Sequence, residues 1–158
     1  MTMGFKPKSY ENKANWEKGW DAEKRFMIKM LQIGVGCRKA SLHHDLNYHV
    51  DFFVGGNTPV DLKGNKKTDA IWLEKRNVYG GRGSIMGFAK YIVMDLIDIK
   101  AYVFYDRLDL VKYVKRFTDI CKHKSDYYCL YTRDGNKDQI IKVRETDLKN
   151  YERFRIQY

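Results

Sequence analysis

The stretch Tyr48-His49-Val50-Asp51-Phe52-Phe53-Val54-Gly55-Gly56-Asn57-Thr58-Pro59-Val60-Asp61-Leu62-Lys63 decides how this chain is read. Val50, Phe52, Phe53 and Val54 are β-branched or aromatic, suit a pleated surface and predict a short strand. Gly55, Gly56 and Asn57 break it. Pro59 stands at the start of a second strand, where a missing N–H is tolerated. Over residues 60–63 that strand puts Asp61 and Lys63, two apart, on one face. Two carboxylates, Asp51 and Asp61, and one ammonium therefore meet at the end of an apolar hairpin. An acid cluster that is even half-buried is costly unless it is paired or binds a cation. Either Asp51 closes a turn and Lys63 neutralises Asp61, or the acids hold a divalent metal beside a lysine, which is machinery for phosphodiester hydrolysis.

Upstream, Trp16, Trp20, Phe26, Met27, Met30 and Leu31 recur at three- and four-residue spacing, which predicts an amphipathic helix over residues 16–33. Asn15 is placed to cap it and Gly34 to end it. Residues 1–13, polar and lysine-rich, read as a loose tail. Glu17, Asp21 and Glu23 lie in the first half of the helix, where acids suit its dipole. Cys37-Arg38-Lys39 reads as the start of a short edge strand. His43, His44 and His49 are crowded together. They fit neither the i, i+4 spacing of a zinc protease nor zinc-finger spacing, and they are too close for the ββα unit of an HNH nuclease. They read as surface or DNA-facing histidines.

Downstream, residues 64–68 read as a polar turn carrying Lys66 and Lys67. Residues 70–75 follow as a strand in which Ile71 and Leu73 alternate with Trp72 and Glu74. Glu74 comes beside Asp61 if this strand pairs with the Asp61 strand, and is otherwise an ordinary exposed glutamate. Residues 77–87 hold Gly80, Gly81, Gly83 and Gly87, with Arg76 and Arg82 nearby. They read as a flexible basic loop whose backbone can approach a phosphate. The Gly-Lys-Ser/Thr triplet of a P-loop is absent. Residues 90–96 and 101–105 are apolar runs suited to the middle of a sheet covered on both faces. Leu108, Val111, Val114 and Phe117 predict a helix over 107–119, with Lys112, Lys115 and Arg116 on its polar side. Residues 127–131 and 139–144 read as strands joined by Asp134-Gly135-Asn136, and Thr146 or Asp147 as the cap of a short terminal helix. The sum is one domain of α/β (α+β) class: a central mixed β-sheet flanked by helices.

Composition narrows the function classes. The chain has 158 residues, enough for one domain with a core, and 44% hydrophobic and 15% aromatic residues argue against a disordered chain. A net charge of +10 favours a polyanionic partner, nucleic acid or an acidic membrane surface. No apolar run approaches membrane-spanning length, and the N-terminus lacks the apolar core of a signal peptide. Cys37, Cys121 and Cys129 form no Cys-x-x-Cys pair, an odd count that reads as free thiols in a reducing, intracellular and cytoplasmic setting.

Asp51 followed by Asp61-Leu62-Lys63 resembles the PD-(D/E)XK nuclease superfamily, in which an acid on one strand precedes an acid-x-Lys triplet on the next. Val50 stands where a proline often precedes the first acid. The register Gly19, Glu23, Phe26, Met30, Gly34 resembles the first helix of small nucleases of that superfamily, whose acid faces the metal. Dipole complementation explains Glu23 equally well. The resemblance covers residues 16–105. It departs where the superfamily places a crossover helix before its fourth main strand, because residues 77–88 are too glycine-rich for one. Either the helix at 107–119 takes that role after an inserted hairpin, or the fold differs.

The resemblance implies a restriction-endonuclease-like core and a Mg²⁺- or Mn²⁺-dependent DNA endonuclease. Asp51, Asp61, the Leu62 carbonyl and Glu23 would hold the ion. Lys63 would orient the attacking water or stabilise developing charge, Glu74 would support the site, and cleavage would leave a 5′-phosphate. Lys66, Lys67, Arg76, Arg82 and Lys90 would hold DNA. Small enzymes of this kind include phage and Holliday-junction-resolvase-like nucleases, which adds branched DNA, a homodimer and a host cytoplasm to the expectations. Two other classes compete. A non-catalytic basic nucleic-acid-binding module would use the charge together with 12 Tyr, 8 Phe and 3 Trp. A structural protein would spend its acids on salt bridges to its lysines.

Overall fold

The computed structural model describes the backbone of residues 10–158 and the side chains from Asp21 onward. In chain order the elements are α1 (Tyr10–Gln32), β1 (Cys37–Lys39), α2 (Leu42–Tyr48), β2 (Phe52–Val54), β3 (Thr58–Lys66), β4 (Ile71–Arg76), β5 (Tyr91–Leu96), β6 (Ala101–Asp106), α3 (Arg107–Val114), β7 (Gln139–Val143) and β8 (Glu152–Gln157). Short 3₁₀ segments, Ser84–Met86 and Glu145–Tyr151, precede β5 and β8. The main sheet has the order β1-β2-β3-β5-β6-β8, with only β3 and β5 parallel. β4 and β7 form a separate antiparallel pair. The sheet is therefore mixed and flanked by helices.

Alternation along the central strands sets the two layers. Ile92, Met94 and Leu96 of β5, with Val103 and Tyr105 of β6, enter one core. Val93, Tyr102 and Phe104 enter the other. Residues of alternate parity point to opposite faces, so both strands are covered on both sides. One face is packed by Phe26 and Met30 of α1 against Phe52, Val60, Leu62 and Phe104. The opposite face is packed by Ile71, Leu73, Ile141 and Val143 of the small sheet and by Leu110, Tyr113 and Val114 of α3. A Cβ built at Gly64 would stand 2.4 Å from Ala22 Cβ, so α1 lies directly on β3 at this position. Among the described residues no helix is long and apolar enough to cross a membrane.

Several expectations are corrected. α1 starts at Tyr10, so Asn15 is interior to the helix and residues 10–13 of the expected tail are helical. Residues 1–9, and the side chains of Trp16, Glu17 and Trp20, lie outside the described residues. β3 continues through Lys66, and the turn comes later, where Ala70 N donates to the Lys67 carbonyl. β4 pairs with β7 and not with β3. β3 and β5 are connected through β4 and the 3₁₀ segment Ser84–Met86, not through an α-helix. α3 ends at Val114 and buries Leu110, Tyr113 and Val114, leaving Leu108 exposed. Residues 127–131 make isolated bridges, Leu130 to Ile120 and Tyr131 to Ile140, and no regular strand. The expected terminal helix is a 3₁₀ segment followed by β8, because Phe154 packs on Tyr91 and Phe104 while Ile156 joins the same core.

Cys121 and Cys129 are joined by a disulfide, which leaves Cys37 as the free thiol. Neither residue belongs to a Cys-x-x-Cys pair. They meet because Leu130 N donates to the Asp119 carbonyl and Cys121 N to the Leu130 carbonyl, which lays two irregular segments side by side.

Candidate active site

The site forms where β2 and β3 part. Asp51 N still donates to the Val60 carbonyl at 2.9 Å, and Ala40 N donates to the Asp51 carbonyl at 2.8 Å. Beyond that point β3 keeps β5 on one edge, and on the β2 side a side chain takes the place of a strand: Leu62 N donates to Asp51 Oδ2 at 2.7 Å. Asp51 is thereby laid against β3 beside Asp61. Val60 and Leu62 face α1, so Asp61 and Lys63 face the opposite layer.

Asp61 is only 2% exposed. Its Oδ1 lies 3.0 Å from Lys63 Nζ, while its Oδ2 is buried without a hydrogen-bond partner. The carboxyls of Asp51 and Asp61 are within hydrogen-bonding reach of each other. With both ionised neither can donate, so a shared proton or a cation is needed to satisfy the orphaned oxygen. Burial first, then the charge of Asp61, pushes the Asp51 carboxyl up to about 7. Burial likewise raises Asp61, with Lys63 opposing. Burial alone would lower the Lys63 ammonium, but Asp61 and Asp51 outweigh it and hold Lys63 above the ordinary lysine value.

A third carboxyl comes from α2. The Ser41 hydroxyl caps this helix by accepting from His44 N at 3.3 Å, and Asp45 sits in its first turn. His49 ends the helix in the left-handed region, φ 52° and ψ 49°, and turns the chain back toward β2. The Asp45 carboxyl is within hydrogen-bonding reach of Asp51 and is pushed up to about 6, by burial and then by Asp51. His49 is lowered by burial and then by Lys63. Sequence reasoning missed Asp45. The signal was Ser41 four residues before an acid, a helix start that the histidine run obscured.

The other candidates fall in different places. Lys66 belongs with the acids: burial lowers it, as does Lys63, while Asp61 acts the other way. Glu74 reaches the site electrostatically, acting on Lys63, although its strand is not paired with β3. Its Oε1 accepts from Ser84 N at 3.1 Å. Glu23 lies on α1, across the sheet from Asp61 and Lys63, and forms an ion pair with Lys39 at the sheet edge. The face of α1 that packs on β3 is separated from Asp61 and Lys63 by the strand itself, while Lys39, the partner of Glu23, acts on Asp45. Lys67 and Lys90 are exposed. Arg76 and Arg82 line a cleft with Lys75 and Lys115. His43 Nδ1 is 3.1 Å from Asn47 Nδ2 and His44 Nδ1 is 2.7 Å from Ser41 Oγ, so both rings have local partners.

Among the described residues no three His, Cys, Asp or Glu side chains are arranged to hold a metal ion by themselves. The donor set is two carboxylates, one of whose buried oxygens lacks a partner, beside the Leu62 backbone. Hard oxygen ligands of this kind suit Mg²⁺ or Mn²⁺, and Mg²⁺ usually keeps several waters. No protein-family model, curated protein or solved structure matches the chain. The functional reading rests on this geometry.

Proposed function

We propose that this chain is a metal-dependent DNA endonuclease of the PD-(D/E)XK kind with a restriction-endonuclease-like core. The observation that carries the reading is the half-buried Asp51 beside the buried Asp61, with Lys63 Nζ 3.0 Å from Asp61 and a partnerless Asp61 Oδ2. Asp51, Asp61 and the Leu62 carbonyl are the residues that would hold Mg²⁺ or Mn²⁺. When bound, the ion supplies a Lewis acid for the phosphate and lowers the pKa of an attacking water. Lys63 stays cationic because Asp61 and Asp51 hold it so, and it donates to a phosphate oxygen or to the water. Asp45 stands within hydrogen-bonding reach of Asp51 and adds its charge to the field on Asp61. The net charge of +10 brings the polyanion to the site.

The test is cleavage of labelled linear, single-stranded and four-way-branched DNA with Mg²⁺ or Mn²⁺. Wild type is expected to cut, whereas Asp61→Ala and Lys63→Ala bind DNA without cutting. DNA binding with no cutting by wild type points instead to the non-catalytic binding module.

A further inference from the structure

The Asn77–Gly81 loop is built rigidly, contrary to its glycine content. Asn77 Oδ1 accepts from Tyr79 N at 3.0 Å and from Gly81 N at 2.9 Å. Asn77 N donates to the Gly81 carbonyl at 3.1 Å, and Lys137 N donates to the Val78 carbonyl at 3.0 Å. A Cβ at Gly83 would stand 2.1 Å from the Glu74 carbonyl oxygen, so the chain after the loop is pressed onto β4. The loop and the end of α3 enclose a cleft of about 560 Å³ lined by Lys75, Arg76, Arg82 and Lys115, with Gly80 and Gly81. No acid lines it. Among the described residues none of the four cations forms an ion pair. Cations brought together without counter-charges repel one another, an arrangement that an external anion relieves. Tyr79, the residue before Gly80, is 81% exposed, and its own backbone N–H is held by Asn77 Oδ1, as is that of Gly81.

We propose that this cleft is a second nucleic-acid site, taking the phosphates of an unpaired strand on Lys75, Arg76, Arg82 and Lys115 while Tyr79 stacks on one of its bases. Arginines suit phosphate because their planar fork donates in pairs. An exposed aromatic on a rigid loop offers a stacking platform to a base that is not already paired, whereas a base inside a duplex has both faces covered. Continuity with the acid pair comes through β4. Glu74, which acts on Lys63, precedes Arg76 by two residues, about 7 Å along a strand. The substrate class is therefore DNA with a single-stranded arm or tail beside the cleavage point. The cleft assignment rests on the nucleic-acid half of the proposed function alone; the place of the single strand beside the cleavage point rests on its catalytic half as well.

The test is fluorescence anisotropy in EDTA with a short labelled thymidine oligonucleotide and a blunt duplex of the same length, each titrated at several salt concentrations. Wild type is expected to prefer the single strand. The double variant Arg82→Ala/Lys115→Ala is expected to weaken single-strand binding more than tenfold and to reduce the salt slope by about 1.4, at about 0.7 per phosphate contact. Tyr79→Ala is expected to weaken it roughly 5- to 100-fold with the salt slope kept, and to leave duplex binding alone. An unchanged slope in the double variant, or equal losses on both DNAs for Tyr79→Ala, overturns the proposal. So does a wild type that binds neither DNA. Wild-type binding of this pattern with no cleavage under Mg²⁺ removes the nuclease reading and leaves the cleft assignment standing.

Discussion

Leu62 donates its backbone N–H to Asp51 Oδ2 at 2.7 Å, so one hydrogen bond seats the first acid of the site on the strand that carries the second. The bond forms because β2 diverges from β3 after the Asp51–Val60 pairing and leaves a backbone donor for a side chain to satisfy. Asparagine can keep that bond without the charge. The Asp51 carboxyl is raised from 3.8 to about 7, so the folded chain retains a proton that the unfolded chain releases. The associated stability is present below about pH 4 and is lost as the pH rises to about 7. In EDTA at pH 8, Asp51→Asn is expected to be more stable than wild type by roughly 1–3 kcal/mol, with the advantage gone near pH 4. Mg²⁺ is expected to raise the thermal midpoint of wild type and not that of the variant. Urea and thermal unfolding at both pH values check this; equal stabilities throughout contradict it.

Under the proposed function Asp45 is a positioning residue beside Asp51, and its charge also acts on Asp61. Asp45→Asn is expected to raise the Mg²⁺ concentration needed for half-maximal activity about 10- to 100-fold, with saturated activity nearly kept. A metal titration of activity separates this from a structural defect, which lowers the plateau instead.

Gly64 is the point at which α1 rests on β3. Gly64→Ala places a methyl group 2.4 Å from Ala22 Cβ, and overpacking of this kind costs about 1–3 kcal/mol. Combining it with Ala22→Gly is expected to return part of the loss, which a double-mutant cycle in urea measures.

Much of this arrangement was legible in the sequence. The hairpin follows from its Gly55-Gly56-Asn57 break and Pro59, the common face of Asp61 and Lys63 from side-chain period, and the doubly covered β5 and β6 from their continuous apolar runs; the edge strand at Cys37–Lys39 was legible too. What was not legible depends on non-local contacts. β4 reads as the next strand of the sheet, yet pairing with β7 completes the second core layer through Ile71, Leu73, Ile141 and Val143. Phe154 and Ile156 are two apart, a strand period that the polar residues around them and the preceding cap signal at Asp147 obscured. Glu23 falls in a plausible helical register, but the face of β3 that meets α1 is set by Val60, Leu62 and Gly64, and this puts the acids on the other side.

Cysteine chemistry offers an independent check on the fold. Protein purified without reductant and unfolded in denaturant is expected to show one reactive thiol per chain, because Cys121 and Cys129 are joined. In the folded chain that thiol, Cys37, is pushed up to about 11 by burial, so its alkylation at pH 8 is expected to be slower than that of a free thiol. Three reactive thiols per oxidised chain contradict the pairing.

The most direct measurement is Mg²⁺-dependent cleavage of DNA by wild type, Asp61→Ala and Lys63→Ala, with binding followed in the same samples. Cutting by wild type alone, with all three proteins binding DNA, is the expected result. Cutting that survives either substitution contradicts the assignment of the Asp51–Asp61–Lys63 cluster as the catalytic centre.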